Sequence, residues 1–252
     1  MSDCTPVLTP LSLKANFDSA TSKEHSRISS YPYLEVIRSL MYAALGTHPD
    51  ICSAVRALAP FAAMFGHEHV NTLKHIMRYL AGCLDHGIMY TAGDAELVRY
   101  TDADWANDCS NHHSISGYAF LYSGGVVSWM SKQQSTVASS SSHAKYIVAM
   151  EAAKELVWLH CLLTKLQEEV LGPTILHIDN CAADLLARNP INHAATKHID
   201  IRYHYIRECI TDKSIKLKLI RMNDMVADVL TKSVANTKHE RFCLMLGMEM
   251  LD

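Results

Sequence analysis

From Tyr33 onward, apolar residues recur at helical spacing. Leu34, Ile37, Leu40, Met41 and Ala44 repeat every three or four positions, and the run stops at Gly46. Pro49 suits the first turn of a second helix, continued by Ile51, Val55, Leu58 and Ala62. A third follows Gly66 through Val70, Leu73, Ile76, Met77 and Leu80 to Gly82. Residues 31–92 therefore read as a small all-helical segment, too thin to stand alone. Residues 1–30 are rich in Ser, Thr and Pro, lack periodicity, and read as an extended arm.

Past Gly93 the period changes. Strands are expected at 98–102, 117–122 and 126–130, with the Ser-Gly-Gly stretch at 123–125 as a hairpin turn between the last two, signalled by Gly124-Gly125. The serines at 139–142 can cap a long helix over 142–167, with Ile147, Ala152, Leu156, Leu159 and Leu163 buried. Further strands fall at 174–179 and 215–220, and helices at 181–187, 197–212 and 224–233. The order βββ-α-β-α-α-β-α over residues 95–235 predicts an α/β fold, a five-stranded mixed sheet with flanking helices. The tail, 236–252, reads as one more helix.

Composition narrows the class. Hydrophobic residues make up 49% of 252, enough for a sizeable core, and net charge is −3, so any nucleic-acid surface must be local. Eight Cys are scattered without a CxxC pair, which argues against zinc ribbons and disulfide scaffolds and fits a reducing compartment. The chain lacks a run of eighteen apolar residues, and its first residues lack the basic start and apolar block of a secretion signal. An intracellular protein with no membrane partner is expected.

Three acids stand at element ends: Asp102, Asp179 and Asp228. Brought together, they could hold a divalent metal. Each also has a plainer reading. Asp102 could close a strand, Asp179 could cap the next helix, and Asp228 could be a solvated helix acid. Asp104 reads as a loop acid. His143 beside four serines reads as a helix-cap residue; the glycines of a nucleophile elbow do not flank it. Between residues 197 and 221, seven Lys or Arg stand against three acids. Lys197, Arg202, Lys216 and Lys218 are thus candidates for phosphate contact, or simply a solvated surface.

Together the motifs resemble a known family. Tyr100-Thr101-Asp102-Ala103-Asp104-Trp105-Ala106, Ser116-Gly117-Tyr118 and Val127-Ser128-Trp129 are similar to the start of the ribonuclease H domain of copia-type retrotransposon polyproteins. So are Ile178-Asp179-Asn180, Thr196-Lys197-His198-Ile199-Asp200-Ile201-Arg202-Tyr203-His204 and Ala227-Asp228-Val229-Leu230-Thr231-Lys232. Arg38-Ser39-Leu40-Met41-Tyr42, Pro49-Asp50-Ile51 and Arg78-Tyr79-Leu80 resemble the segment joining reverse transcriptase to that domain. The resemblance covers nearly the whole chain and lacks the polymerase's Tyr-x-Asp-Asp segment.

The resemblance implies a ribonuclease H-like fold and metal-dependent hydrolysis of RNA in RNA–DNA hybrids, with Mg²⁺ or Mn²⁺ held by four carboxylates. It also implies nucleic acid and reverse transcriptase parts as partners. Asp102, Asp179 and Asp228 match three of the acids as metal ligands. The remaining Glu belongs to a pattern of the type Ser-Ser-Thr-Glu-Ala-Glu-Tyr, for which this chain has Ser140-Ser141-Ser142-His143-Ala144-Lys145-Tyr146. His143 takes the first Glu position and Lys145 the second. An imidazole offers one nitrogen and no negative charge, and suits Zn²⁺ or Mn²⁺ better than Mg²⁺. With His143 as the missing ligand and Lys145 on another face of the helix, the expectation is impaired catalysis.

Overall fold

A computed structural model describes residues 4–13, 15, 17–92, 97–105, 112–167, 174–178, 208–212 and 214–251. Its centre is a five-stranded mixed sheet. Strands β2 (Val98–Asp104), β3 (Ile115–Tyr122) and β4 (Gly125–Gln133) form an antiparallel meander. Strands β5 (Thr174–Ile178) and β6 (Ile215–Leu219) run parallel to β2 on its other side, giving the order β4-β3-β2-β5-β6. The β3–β4 turn is tight because Ser123 and Gly124 both take positive φ, 52° and 80°, the twist a two-residue hairpin needs. The turn falls within the Ser-Gly-Gly stretch expected at 123–125.

Helix α5 (Ser141–Lys165) covers one face. Its expected core positions Ile147, Ala152, Leu156, Leu159 and Leu163 are all buried. Ala152, Leu156, Leu159 and Leu163 share a core with Phe120 of β3, Leu176 of β5 and Leu217 of β6. The opposite face carries the helical segment: α2 (Tyr33–Gly46), α3 (Cys52–Leu58) and α4 (His67–Ala81). These helices share one core with Ala119 and Val126 of the sheet and with the C-terminal residues Val229, Leu230, Phe242 and Leu246. The thin bundle leans on the sheet, which buries the apolar stripe it could not bury alone.

Several expectations are corrected. The arm is not purely extended: α1 (Ser22–Ile28) is helical, capped by the Thr21 hydroxyl accepting from the Glu24 N–H at 3.3 Å. Thr5 and Thr9 of the arm are held on α4, where Arg78 Nε donates to Thr5 O at 2.7 Å and His75 Nε2 meets Thr9 O at 2.9 Å. The helix expected over 224–233 shrinks to α6 (Asp228–Thr231), after a tight turn at Met222–Asp224. Met225, Val226 and Ala227 are consecutive and all fully buried, which a one-sided surface helix cannot achieve. The tail forms α7 (Asn236–Met245) and then a strand, β7 (Met248–Met250), which pairs antiparallel with β1 (His86–Ile88). The helix expected at 181–187 lies outside the described residues, as does that at 197–212 except for a helical turn at 208–211.

Gly117 positions α6. It lies opposite Asp102 in the β2–β3 ladder. A Cβ there would sit 2.6 Å from Thr231 Cγ2, 3.0 Å from Leu230 Cβ and 3.3 Å from Ala227 O. Only a bare Cα lets α6 rest this close to the sheet. We expect Gly117→Ala to destabilise the fold by about 1–3 kcal/mol through overpacking, read as a lower urea midpoint.

His239 of α7 is buried in the same core, edge-on to the Tyr79 ring at 5.4 Å. Burial lowers its pKa, against the pull of Asp50. The folded chain thus binds this proton less readily than the unfolded chain. His239's contribution is complete above the ordinary histidine value of about 6.5 and fades as pH falls below it. The loss of stability below that pH should be shallower in His239→Gln, measured as denaturation midpoint against pH.

Candidate functional site

Strand β2 carries Asp102 into the interior, where it is 1% exposed. Its carboxylate is fully engaged. Oδ1 accepts from Lys145 Nζ at 2.9 Å. Oδ2 accepts from Thr231 Oγ1 at 2.7 Å and Lys232 Nζ at 3.3 Å. The Asp228 side chain, 0% exposed, lies in the same cluster: Lys232 Nζ is 2.9 Å from Oδ1 and Lys238 Nζ 2.6 Å from Oδ2. Lys232 thus bridges the two acids. The close approach of α6 that Gly117 permits is what brings Thr231 and Lys232 onto β2.

Electrostatics follow from this packing. Burial alone would raise Asp102, but Lys145 and Lys232, with the Thr231 hydroxyl, hold its carboxyl well below the usual carboxylate range. Burial and the neighbouring Asp102 charge push Asp228 up, opposed by Lys238 and Lys232. Burial would lower Lys232, yet the two carboxylates keep it above the ordinary lysine value. Asp104, at the end of β2, is raised by burial against the pull of Lys232.

The helix face differs from the one expected. Lys145, not His143, points at Asp102. His143 sits in the first turn of α5, where its N–H donates to Ser140 Oγ at 3.1 Å and its Nδ1 accepts from the Ser139 N–H at 3.2 Å. Two residues along a helix are about 200° apart, so only one of the pair can face the acid. A signal for this lies in the sequence. The buried positions 152, 156, 159 and 163, stepped back by whole heptads and half-heptads, land on 145. Thr231 and Lys238 were not anticipated either, because their role depends on how α6 and α7 dock.

Of the other candidates, Asp179, Lys197 and Arg202 lie outside the described residues. Lys216 and Lys218 are exposed on β6, alternating with Ile215 and Leu217, which are turned inward. They stand at the sheet edge, two strands from Asp102.

The described donor set does not fit a divalent metal. A hard ion such as Mg²⁺ requires about six oxygen ligands in near-octahedral geometry. Both oxygens of each acid are already contacted by ammonium or hydroxyl groups. Among the described residues, no three His, Cys, Asp or Glu side chains come together as a metal site. What the arrangement can do is hold the Asp102 carboxylate ionised without metal, through Lys145, Lys232 and the Thr231 hydroxyl.

The sheet order and the covering helices give a ribonuclease H-like five-stranded mixed sheet. Sequence comparison agrees. The chain is 40% identical over 255 residues to the retrovirus-related Pol polyprotein from transposon TNT 1-94 of Nicotiana tabacum, covering 98% of this chain and 19% of that protein. It is 37% identical over 217 residues to the Pol polyprotein from transposon RE1 of Arabidopsis thaliana, covering 86% and 15%. A shorter relative, secreted RxLR effector protein 161 of Plasmopara viticola, is 44% identical over 133 residues, covering 52% of this chain and 94% of that one. The chain's homologues are retrovirus-related Pol polyproteins from transposons, and it spans about a fifth or less of the length of those it matches.

No family model matches. Among solved structures, a ribonuclease H1 isolated from compost is 12% identical with a TM-score of 0.42, covering 58% of this chain and 97% of that one. A prototype foamy virus protease–reverse transcriptase is 12% identical with a TM-score of 0.36, covering 63% and 21%. Among the described residues, no helix is long and apolar enough to cross a membrane.

Removing the bridging cation should be costly. Lys232→Met leaves two buried carboxylates short of a partner, and we expect it to lower unfolding free energy by about 3–5 kcal/mol in denaturant titration.

Proposed function

We propose that this chain is a retrotransposon-derived ribonuclease H-like module that has lost most or all of its metal-dependent hydrolysis of RNA in RNA–DNA hybrids. The observation that carries this reading is the Lys145 ammonium, 2.9 Å from Asp102 Oδ1. In the family pattern, that helix position holds a glutamate. Exchanging it for lysine replaces a metal ligand with a cation, a change of two charge units at the place where Mg²⁺ or Mn²⁺ would bind. Losing one member of such a constellation typically costs orders of magnitude in rate. His143 is a capping residue in this reading and plays no part in the loss.

Cleavage of a labelled RNA–DNA hybrid tests the proposal, in Mg²⁺ and separately in Mn²⁺. Wild type should fall roughly 10³-fold or more below a complete carboxylate site. Lys145→Glu should recover metal dependence. Its thermal midpoint should rise when Mg²⁺ or Mn²⁺ is added, because the ion binds only the folded chain, while wild type should not respond. Brisk wild-type turnover that disappears in Asp102→Asn would sink the idea.

A further inference from the structure

Over its second half, helix α5 is apolar on both sides. Ala152, Leu156, Leu159 and Leu163 face the sheet core. On the outer side Trp158 is 57% exposed, Leu162 38% and Leu166 63%, with Val157 beside them at 36%. Trp158, Leu162 and Leu166 follow one another at intervals of four and form a ridge. A helix lying on a sheet ordinarily keeps polar residues on that side. A contiguous apolar surface of a few hundred Å² marks an interaction site. Trp158 stands about 20 Å along the helix from Lys145, so the ridge is separate from the buried ion cluster.

The charges along the ridge cancel: Glu151 and Glu155 stand against Lys154 and Lys165. Such a face has no net attraction for phosphate. Their order matches a second copy of itself run antiparallel. With His160 of each copy level with a twofold axis, Trp158 lies opposite Leu162 of the second copy, and Glu155 opposite its Lys165. Lys154 lays its stem along the second copy's Leu166. Symmetry makes every one of these contacts twice. Ser128 Oγ donates to Glu155 Oε1 at 2.7 Å, and a carboxylate has a second oxygen for the lysine. Glu151, whose Oε2 is buried, stands at the end of the seam. A parallel pair would instead set Glu155 against Glu155 and Lys165 against Lys165. The exposed Cys161 falls beside the axis.

We propose that the chain self-associates as a twofold dimer through the outer face of α5, with Trp158 of each copy packed on Leu162 of the other. Both apolar ridges leave water together, and the two Glu155–Lys165 pairs fix the antiparallel register. The carboxylate end of the sheet stays outside the contact, so the dimer and the loss of catalysis stand or fall separately.

Sedimentation velocity of the whole chain from about 1 to about 100 µM tests the dimer. The average mass should rise with concentration from one copy toward two. Trp158→Ala should weaken association by at least about tenfold. Glu155→Lys and Lys165→Glu should each weaken it, and the double exchange should recover it, because the swapped charges again face opposite charges across the axis. A short bismaleimide should join Cys161 to Cys161, a product lost in Cys161→Ser. Circular dichroism checks that each variant folds. Trp158 and Lys165 are both exposed, so their variants keep the proposal falsifiable even if Glu155→Lys, which disturbs Ser128, does not fold. A chain that stays monomeric at every concentration would overturn the dimer. So would association that Trp158→Ala and Lys165→Glu leave unaltered, or a folded double exchange that fails to recover it.

Discussion

Two carboxylates sit where water cannot reach them, and much of the local structure follows from that. An isolated ionised acid in a protein interior costs several kcal/mol, so each must have counter-charges at contact distance. Lys232 serves both. It directly follows α6, more than a hundred residues after Asp102 in the chain, and reaches β2 because α6 packs closely against the sheet at Gly117. The Thr231 hydroxyl, 2.7 Å from Asp102, arrives by the same docking. Ion pairing and helix placement are thus one event: neither the acids nor α6 would be stable in this position alone.

The second face of the sheet shows how the helical segment fits. Helices α2 to α4 do not form a bundle linked to the sheet by a tether. They share a continuous core with Ala119, Val126, Leu230 and Phe242. The β1–β7 pairing ties the end of the segment to the end of the chain. Perturbing α4 or α7 should therefore be felt at the Asp228 cluster, because Lys238 of α7 is one of its cations.

A buried ion cluster of this kind is weak evidence for stability as such. Replacing such groups with apolar ones is often neutral or favourable, and removing one partner is what hurts. In the proposed reading, the Lys145 ammonium takes the place beside Asp102 that a divalent ion would otherwise occupy.

Much of this was legible along the chain. Period-two strands, the long helix and its buried positions, and the helical segment before them are local patterns, and they survive folding because each is set by residues close in sequence. The acids Asp102 and Asp228 were legible through the motifs around them. Other features depended on rotation and docking. Which of His143 and Lys145 faces Asp102 depends on how α5 turns against the sheet. The short α6 follows from burying Met225, Val226 and Ala227 together, and the roles of Thr231 and Lys238 follow from the approach that Gly117 allows. The amino-acid sequence by itself determined which charges the protein has to place; only the tertiary structure decided which of them meet, because contact between residues far apart in the chain is a property of packed surfaces and not of local pattern.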